Sequence, residues 1–166
     1  STSFGTMGNN HGSDPASCAD STRGLWGGGE PSSDTNAISY VTIQTTGNST
    51  DFGDLTQARR QFSAVADATR GCFGGGYNGS YLNTIDYVTI QTTGNATDFG
   101  DLTVSRVVAS GACGDATRGV WGGGSTAADN SVEIDYITIA TTGNATDFGD
   151  LTQSRNRTNG ASDYVK

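Results

Sequence analysis

The sequence predicts an all-β fold built from three tandem four-stranded units, and three observations carry that prediction. The chain repeats itself at intervals of 47 to 49 residues: TRGLWGGG begins at Thr22, TRGCFGGG at Thr69 and TRGVWGGG at Thr117. Each unit closes on one phrase, GNSTDFGDLTQAR at 47–59, GNATDFGDLTVSR at 94–106 and GNATDFGDLTQSR at 143–155. Between them lie segments of strand length and strand composition, rich in Thr, Val, Ile and Tyr and bounded by glycine. The expected units are residues 8–59, 60–106 and 107–155, with 156–166 a partial fourth.

Each unit divides into four pieces. In the last copy, Val107 to Cys113 supplies a strand of small and β-branched residues. Arg118-Gly119-Val120-Trp121 is a second, apolar strand that runs into Gly122-Gly123-Gly124. Tyr87-Val88-Thr89-Ile90 shows the alternation of a half-buried third strand. Gly94-Asn95 reads as a hairpin turn, because both residue types tolerate positive φ. The return strand carries Phe99 and Leu102. A helix over Leu55, Ala58, Phe62, Val65 and Ala66 fits the spacing in the second unit. The third unit has Gly111 and Gly114 there, each costing a helix about 1 kcal/mol relative to alanine, so a shared structure must be a strand.

Composition narrows the function classes. Of 166 residues 25 are glycine and 16% are charged, with a net charge of −8. That sign repels phosphate and anionic lipid, which argues against nucleic acid and against membrane insertion. No apolar run approaches the ~20 residues of a membrane-spanning helix, and no signal-peptide pattern is present. The start at Ser1 rather than Met suggests a processed or excerpted chain. Cys18 and Cys113 share a repeat position with Val65, and Cys72 shares one with Leu25 and Val120. The cysteines therefore read as small apolar side chains.

Four short antiparallel strands every 40–50 residues is the blade pattern of a β-propeller. The order Arg, strand, Gly-Gly, strand with Tyr, aromatic-x-x-Leu, Arg resembles a kelch-type repeat across nearly the whole chain. Phe52, Phe99 and Phe148 stand where that repeat usually carries tryptophan. The phrasing TRGVWGGG, IDYVTI and TGNATDFGDLT is similar to repeats in structural proteins of marine tailed bacteriophages. The resemblance implies a virion component, a tail or decoration protein, located on the virion surface or extracellularly. Three units are fewer than a propeller needs, so the expected architecture is a propeller completed by a longer chain or by other copies, with a β-trefoil as the alternative.

The Asp-Phe-Gly triplet holds magnesium in kinases, but a kinase also needs a strand lysine and a His-Arg-Asp loop. This chain has one Lys, at 166, and one His, at 11. The lone His also leaves no Ser-His-Asp or zinc-protease arrangement, so no catalytic residues are expected. Asp98, Asp101, Asp147 and Asp150 are oxygen donors on a repeated turn, and calcium is the one cofactor they suggest. The competing reading pairs box aspartates with the repeated arginines, Arg23, Arg70 and Arg118 at the glycine strand and Arg59, Arg106 and Arg155 at the unit ends. Trp26, Phe73 and Trp121 share one position and are expected between units. Asn95-Ala96-Thr97 and its copies are read as turns rather than glycan sites.

What differs between units is the loop after the triple glycine. Loops on a repetitive scaffold are where recognition resides. Tyr77, Asn78, Tyr81 and Asn83 make the most ligand-like cluster, with Asp129 and Asn130 in the corresponding loop of the third unit. The expected function is non-enzymatic: binding a host-surface glycan, another virion protein or further copies of itself. The alternatives are a secreted bacterial carbohydrate-binding module or adhesin and, more remotely, a polysaccharide-degrading propeller.

Overall fold

A computed structural model describes residues 3–108 and 111–162. Twelve strands form three separate four-stranded antiparallel sheets, and no helix occurs among the described residues. The first sheet contains β1 (Ala16–Ala19), β2 (Arg23–Gly27), β3 (Ala37–Thr42) and β4 (Thr50–Asp54). The second contains β5 (Ser63–Ala66), β6 (Arg70–Gly74), β7 (Thr84–Thr89) and β8 (Thr97–Asp101). The third contains β9 (Ala112–Gly114), β10 (Arg118–Gly122), β11 (Glu133–Thr138) and β12 (Thr146–Asp150). In every sheet neighbours in sequence are neighbours in space.

The sheets pack face to face, with β5 beside both β1 and β9. One apolar layer lies between the first and second units around Phe52, Leu55, Phe62 and Phe73. An equivalent layer lies between the second and third around Phe99, Leu102, Val108 and Trp121. The helical spacing over residues 55–66 is therefore a loop followed by β5.

Several local expectations are corrected. The strand expected over Val107 to Cys113 begins only at Ala112, with 109–110 outside the described residues. Its paired valines bond elsewhere: Val107 exchanges backbone hydrogen bonds with Ser125, and Val108 N–H donates to the Gln61 carbonyl. Gly94-Asn95 is not the hairpin turn. The tight turn lies just before it, closed by Thr92 N–H donating to Thr89. Gly94 and Ala96 instead donate to the Phe52 and Asp54 carbonyls of the preceding unit, and Asn95 Oδ1 accepts the Asp54 N–H at 3.0 Å. Gly143, Asn144 and Ala145 repeat these bonds onto Phe99 and Asp101.

This lateral stitching explains the glycine of the Asp-Phe-Gly triplet. Gly53 and Gly100 sit at φ 140° and 143°, beside the bulge where Ile38/Ser39 and Ile85/Asp86 shift register. A Cβ on either would lie 2.5 Å from a backbone atom of the next unit's Gly94 or Gly143. The triplet is a place of close backbone approach, which only glycine allows.

Candidate functional site

Two arginine–aspartate pairs lock the units together. Arg59 follows β4 of the first unit and its side chain enters the second, where Nη2 lies 3.1 Å from Asp86 Oδ2 and donates to the Phe73 carbonyl at 3.0 Å. Arg106 repeats this with Asp135 of the third unit at 2.8 Å and with the Trp121 carbonyl. All four side chains are fully buried. Thr56 Oγ1 donates to Asp86 and Thr103 Oγ1 to Asp135, so each carboxylate is shared by a hydroxyl and a guanidinium. Burial pulls the Arg59 proton affinity down and the Asp86 charge pulls it back up.

The partners are thus aspartates of the tyrosine strand, not Asp98, Asp101, Asp147 or Asp150 of the box. Among the described residues Arg23, Arg70 and Arg118 form no ion pair. They stack over Tyr40, Tyr87 and Tyr136, with the guanidinium carbon 4.5–4.7 Å from the ring centroid. Arg23 and Arg70 also donate across the interface, to the Ile90 and Ile139 carbonyls. The turn-capping carboxylates are Asp20, Asp67 and Asp115, each accepting the N–H groups of the following Thr and Arg. Arg155 makes no ion pair among the described residues.

Among the described residues no three His, Cys, Asp or Glu side chains gather in metal-binding reach. Asn144 Oδ1, three residues before Asp147, accepts the Asp101 N–H.

The N-terminal segment holds a relationship that sequence reasoning missed. The Phe4 and Thr6 carbonyls accept from Gly47 and Ser49 just as Phe52 and Asp54 accept from Gly94 and Ala96. Asn48 Oδ1 accepts the Thr6 N–H in the manner of Asn95. Residues 4–11 (FGTMGNNH) therefore take the place of a preceding unit's FGDLTQAR. The His11 ring faces Ser39 as the Arg59 and Arg106 side chains face Asp86 and Asp135, with one extra residue before Ser13, which bonds to Glu30 as Arg60 does to Tyr77. His11 is buried and bonds to Ser39 Oγ at 3.0 Å and the Gly28 carbonyl at 2.8 Å. Ser39 is the counterpart of Asp86 and Asp135. The faint signal was the shared Phe-Gly at Phe4-Gly5.

The non-repeating chemistry lies in the loops after the triple glycines. Tyr77 and Tyr81 meet edge to face at 5.4 Å. The Arg60 guanidinium sits over Tyr77 at 5.3 Å and pairs with Glu30 at 3.1 Å and with Asp34. Asp34 holds it more firmly protonated than usual. Asn78 donates to Gln57 at 3.2 Å. Arg60 thus joins the loops of the first two units, and Val107 holds its place in the third. Asn83 is set apart: its carbonyl accepts Leu102 N–H, which ties it to the scaffold. Asp129 and Asn130 form a small exposed turn around Thr126, separate from the tyrosine pair. Arg60 was missed as a site residue, although an arginine without repeat counterparts was its visible sign.

A concavity of about 920 Å3 runs along the first strands of the three units and is lined by Ser17, Ser63, Asp115 and Asn159 among others. The chain matches no protein-family model and no curated protein.

Proposed function

We propose that this chain is a non-enzymatic, β-propeller-like repeat protein that binds a cell-surface glycan through the loops of its first two units. The observation that carries the reading is the Glu30–Asp34–Arg60–Tyr77–Tyr81 cluster. It is the place where the chain abandons its repeat and gathers two carboxylates, a cation, amides and two half-buried tyrosines on one face. Tyrosine offers large apolar area with a polar tip at low entropic cost, suited to a sugar's mixed faces. Carboxylate and amide oxygens accept from vicinal hydroxyls.

Kelch-like blades are supported by the meander order of each sheet and by the side-by-side first strands. The text of the repeat supports placing the protein on a phage virion, in a tail or decoration role, with other virion proteins or copies of itself as neighbours. A glycan array probed with the purified chain and with intact virions tests the reading. Binding lost in Tyr77→Ala and Tyr81→Ala at unchanged melting temperature is expected. Retained binding in both variants, or release of reducing ends from a bound polysaccharide, overturns it.

A further inference from the structure

The outward face of the third unit is a half-built copy of the two interfaces inside the chain. At each internal interface an aromatic ring of the following unit rests on the first glycine of the preceding triplet. Phe73 lies 3.2 Å from the Cβ position of Gly27, and Trp121 lies 2.8 Å from that of Gly74. The equivalent Gly122 meets only its own sheet's Ile134, at 3.7 Å. Among the described residues no aromatic fills its seat.

The polar half of the interface is likewise open at Arg155 and Arg118, although residues 158–162 already lie against the first strands of this unit, with Thr158 Oγ1 donating to the Gly122 carbonyl and Ser162 Oγ accepting the Gly114 N–H. Arg59 and Arg106 find Asp86 and Asp135 in the following unit. Arg155 is held by the same backbone bonds, accepting from Gly124 and donating to Ser131, yet its side chain is exposed. Arg118 stacks on Tyr136 as its counterparts do on their tyrosines, but among the described residues no carbonyl takes the place of Ile90 or Ile139. Phe148 is 56% exposed where Phe52 and Phe99 are 2% and 3%. Gly149 keeps the φ of 132° that its counterparts use for close approach, with nothing within 4 Å.

The geometry points to one occupant: a further four-stranded unit of this repeat type, with an aromatic after Arg-Gly-x to fill the Gly122 seat and an aspartate in its third strand to receive Arg155. Charge complementarity and continuity with two existing interfaces both select it. A second copy of this chain docking through its first unit is disfavoured. Ser39 replaces the required aspartate there, His11 fills the pocket, and Phe4 and Thr6 already hold the Gly47 and Ser49 N–H groups. The inference rests on the repeat interfaces and stands apart from the glycan reading, since a chain that binds no sugar can still dock a unit.

The test replaces the residues after Arg155 with a second copy of residues 60–106, whose Phe73 and Asp86 copies carry the required groups. The extended chain is expected to melt higher than the natural one, and a Trp placed at Phe148 shifts its emission to the blue. Arg155→Ala should abolish the gain in the extended chain and leave the natural chain unchanged. An appended unit whose amides stay unprotected from hydrogen exchange, or an Arg155→Ala effect equal in both chains, overturns the proposal. A second arm needs no extension. The chain lacking residues 1–11 and carrying Ser39→Asp should associate with the natural chain in sedimentation, while the natural chain alone stays monomeric. Self-association of the natural chain, or no association in the mixed sample, counts against the chosen occupant.

Discussion

Arg106 and Asp135 lie 2.8 Å apart with both side chains wholly removed from solvent, one from the end of the second unit and one from the third strand of the next. Removing one member of a buried pair strands the other charge without water, which costs roughly 3–5 kcal/mol. Arg106→Ala should therefore lower the melting temperature by on the order of 10 °C for a chain of this size. Asp135→Asn should do nearly as much damage, because it also weakens the Thr103 and Arg106 bonds. Calorimetry on either variant decides the matter, and an unchanged transition would show the pair to be dispensable.

The paired glycines Gly74 and Gly122 offer a steric contrast within one molecule. Neither has the positive φ that strains a side chain. A methyl on Gly74 meets the buried Trp121 indole at 2.8 Å, and one on Gly122 meets nothing closer than 3.7 Å. Overpacking at the first costs about 1–3 kcal/mol. Gly122→Ala, whose methyl would find ordinary van der Waals room, should change stability by no more than ~0.5 kcal/mol. Urea unfolding of the two variants should separate them clearly; equal losses would mean that the aromatic does not rest on its neighbour's glycine.

Much of this architecture was readable because the repeat is printed three times. Alternation and glycine punctuation are local properties, and they placed the second, third and fourth strands of each unit. What local pattern does not carry is which unit a side chain enters. The box aspartates stand close in sequence to Arg59 and Arg106, but the partners Asp86 and Asp135 lie about 30 residues onward, in the adjoining sheet. Ser39 hid the rule further by breaking it in the first unit. Phe4 to His11 escaped notice because its likeness to a fourth strand survives in two residues. Backbone hydrogen bonds carry the rest, and these leave no mark on side-chain identity.

Acid should weaken the fold through its turn caps. Hydrogen bonds from the Arg118 and Thr117 N–H groups hold the exposed Asp115 carboxyl below its ordinary value of 3.8. At Asp20 burial opposes this, but the Arg23 and Thr22 N–H groups and Gln91 outweigh it. The Ser131 hydroxyl lowers Glu133 in the same direction. A folded pKa below the unfolded one means that unfolding takes up protons. The stabilisation is thus complete only above the unfolded values, about pH 5 and higher, and lost as pH falls through the folded values. Melting temperature should be level down to about pH 5 and drop below 4. The Asp115→Asn variant should show a shallower acid drop, and a slope identical to that of the natural chain would refute the role of this cap.

Cys72 is packed between sheets with no exposed surface, and burial pushes its thiol up to about 12. Only the thiolate attacks a disulfide reagent, so the native protein at neutral pH should leave Cys72 unmodified. Cys113, half-buried on β9, should react first. Cys72→Val keeps an apolar side chain of similar size and should cost less than about 1.5 kcal/mol. Mass spectrometry after timed labelling reads the order, and rapid native modification of Cys72 would contradict its packing.

The substitution that separates the first unit from its siblings can be reversed. The His11 and Ser39 side chains occupy the places of Arg and Asp at the other two interfaces, and they meet through a single hydrogen bond of 3.0 Å. Ser39→Asp alone buries a carboxylate beside an imidazole, and His11→Arg alone buries a guanidinium beside a hydroxyl. Each single change should destabilise, because a buried charge without a matched partner keeps its desolvation cost. Together they install a third copy of the lock, so the double variant should recover at least ~1 kcal/mol over the sum of the singles. The cycle is measured by urea unfolding at pH 7. Strict additivity would mean that Phe4 to His11 follows the path of a preceding unit without inheriting its electrostatics.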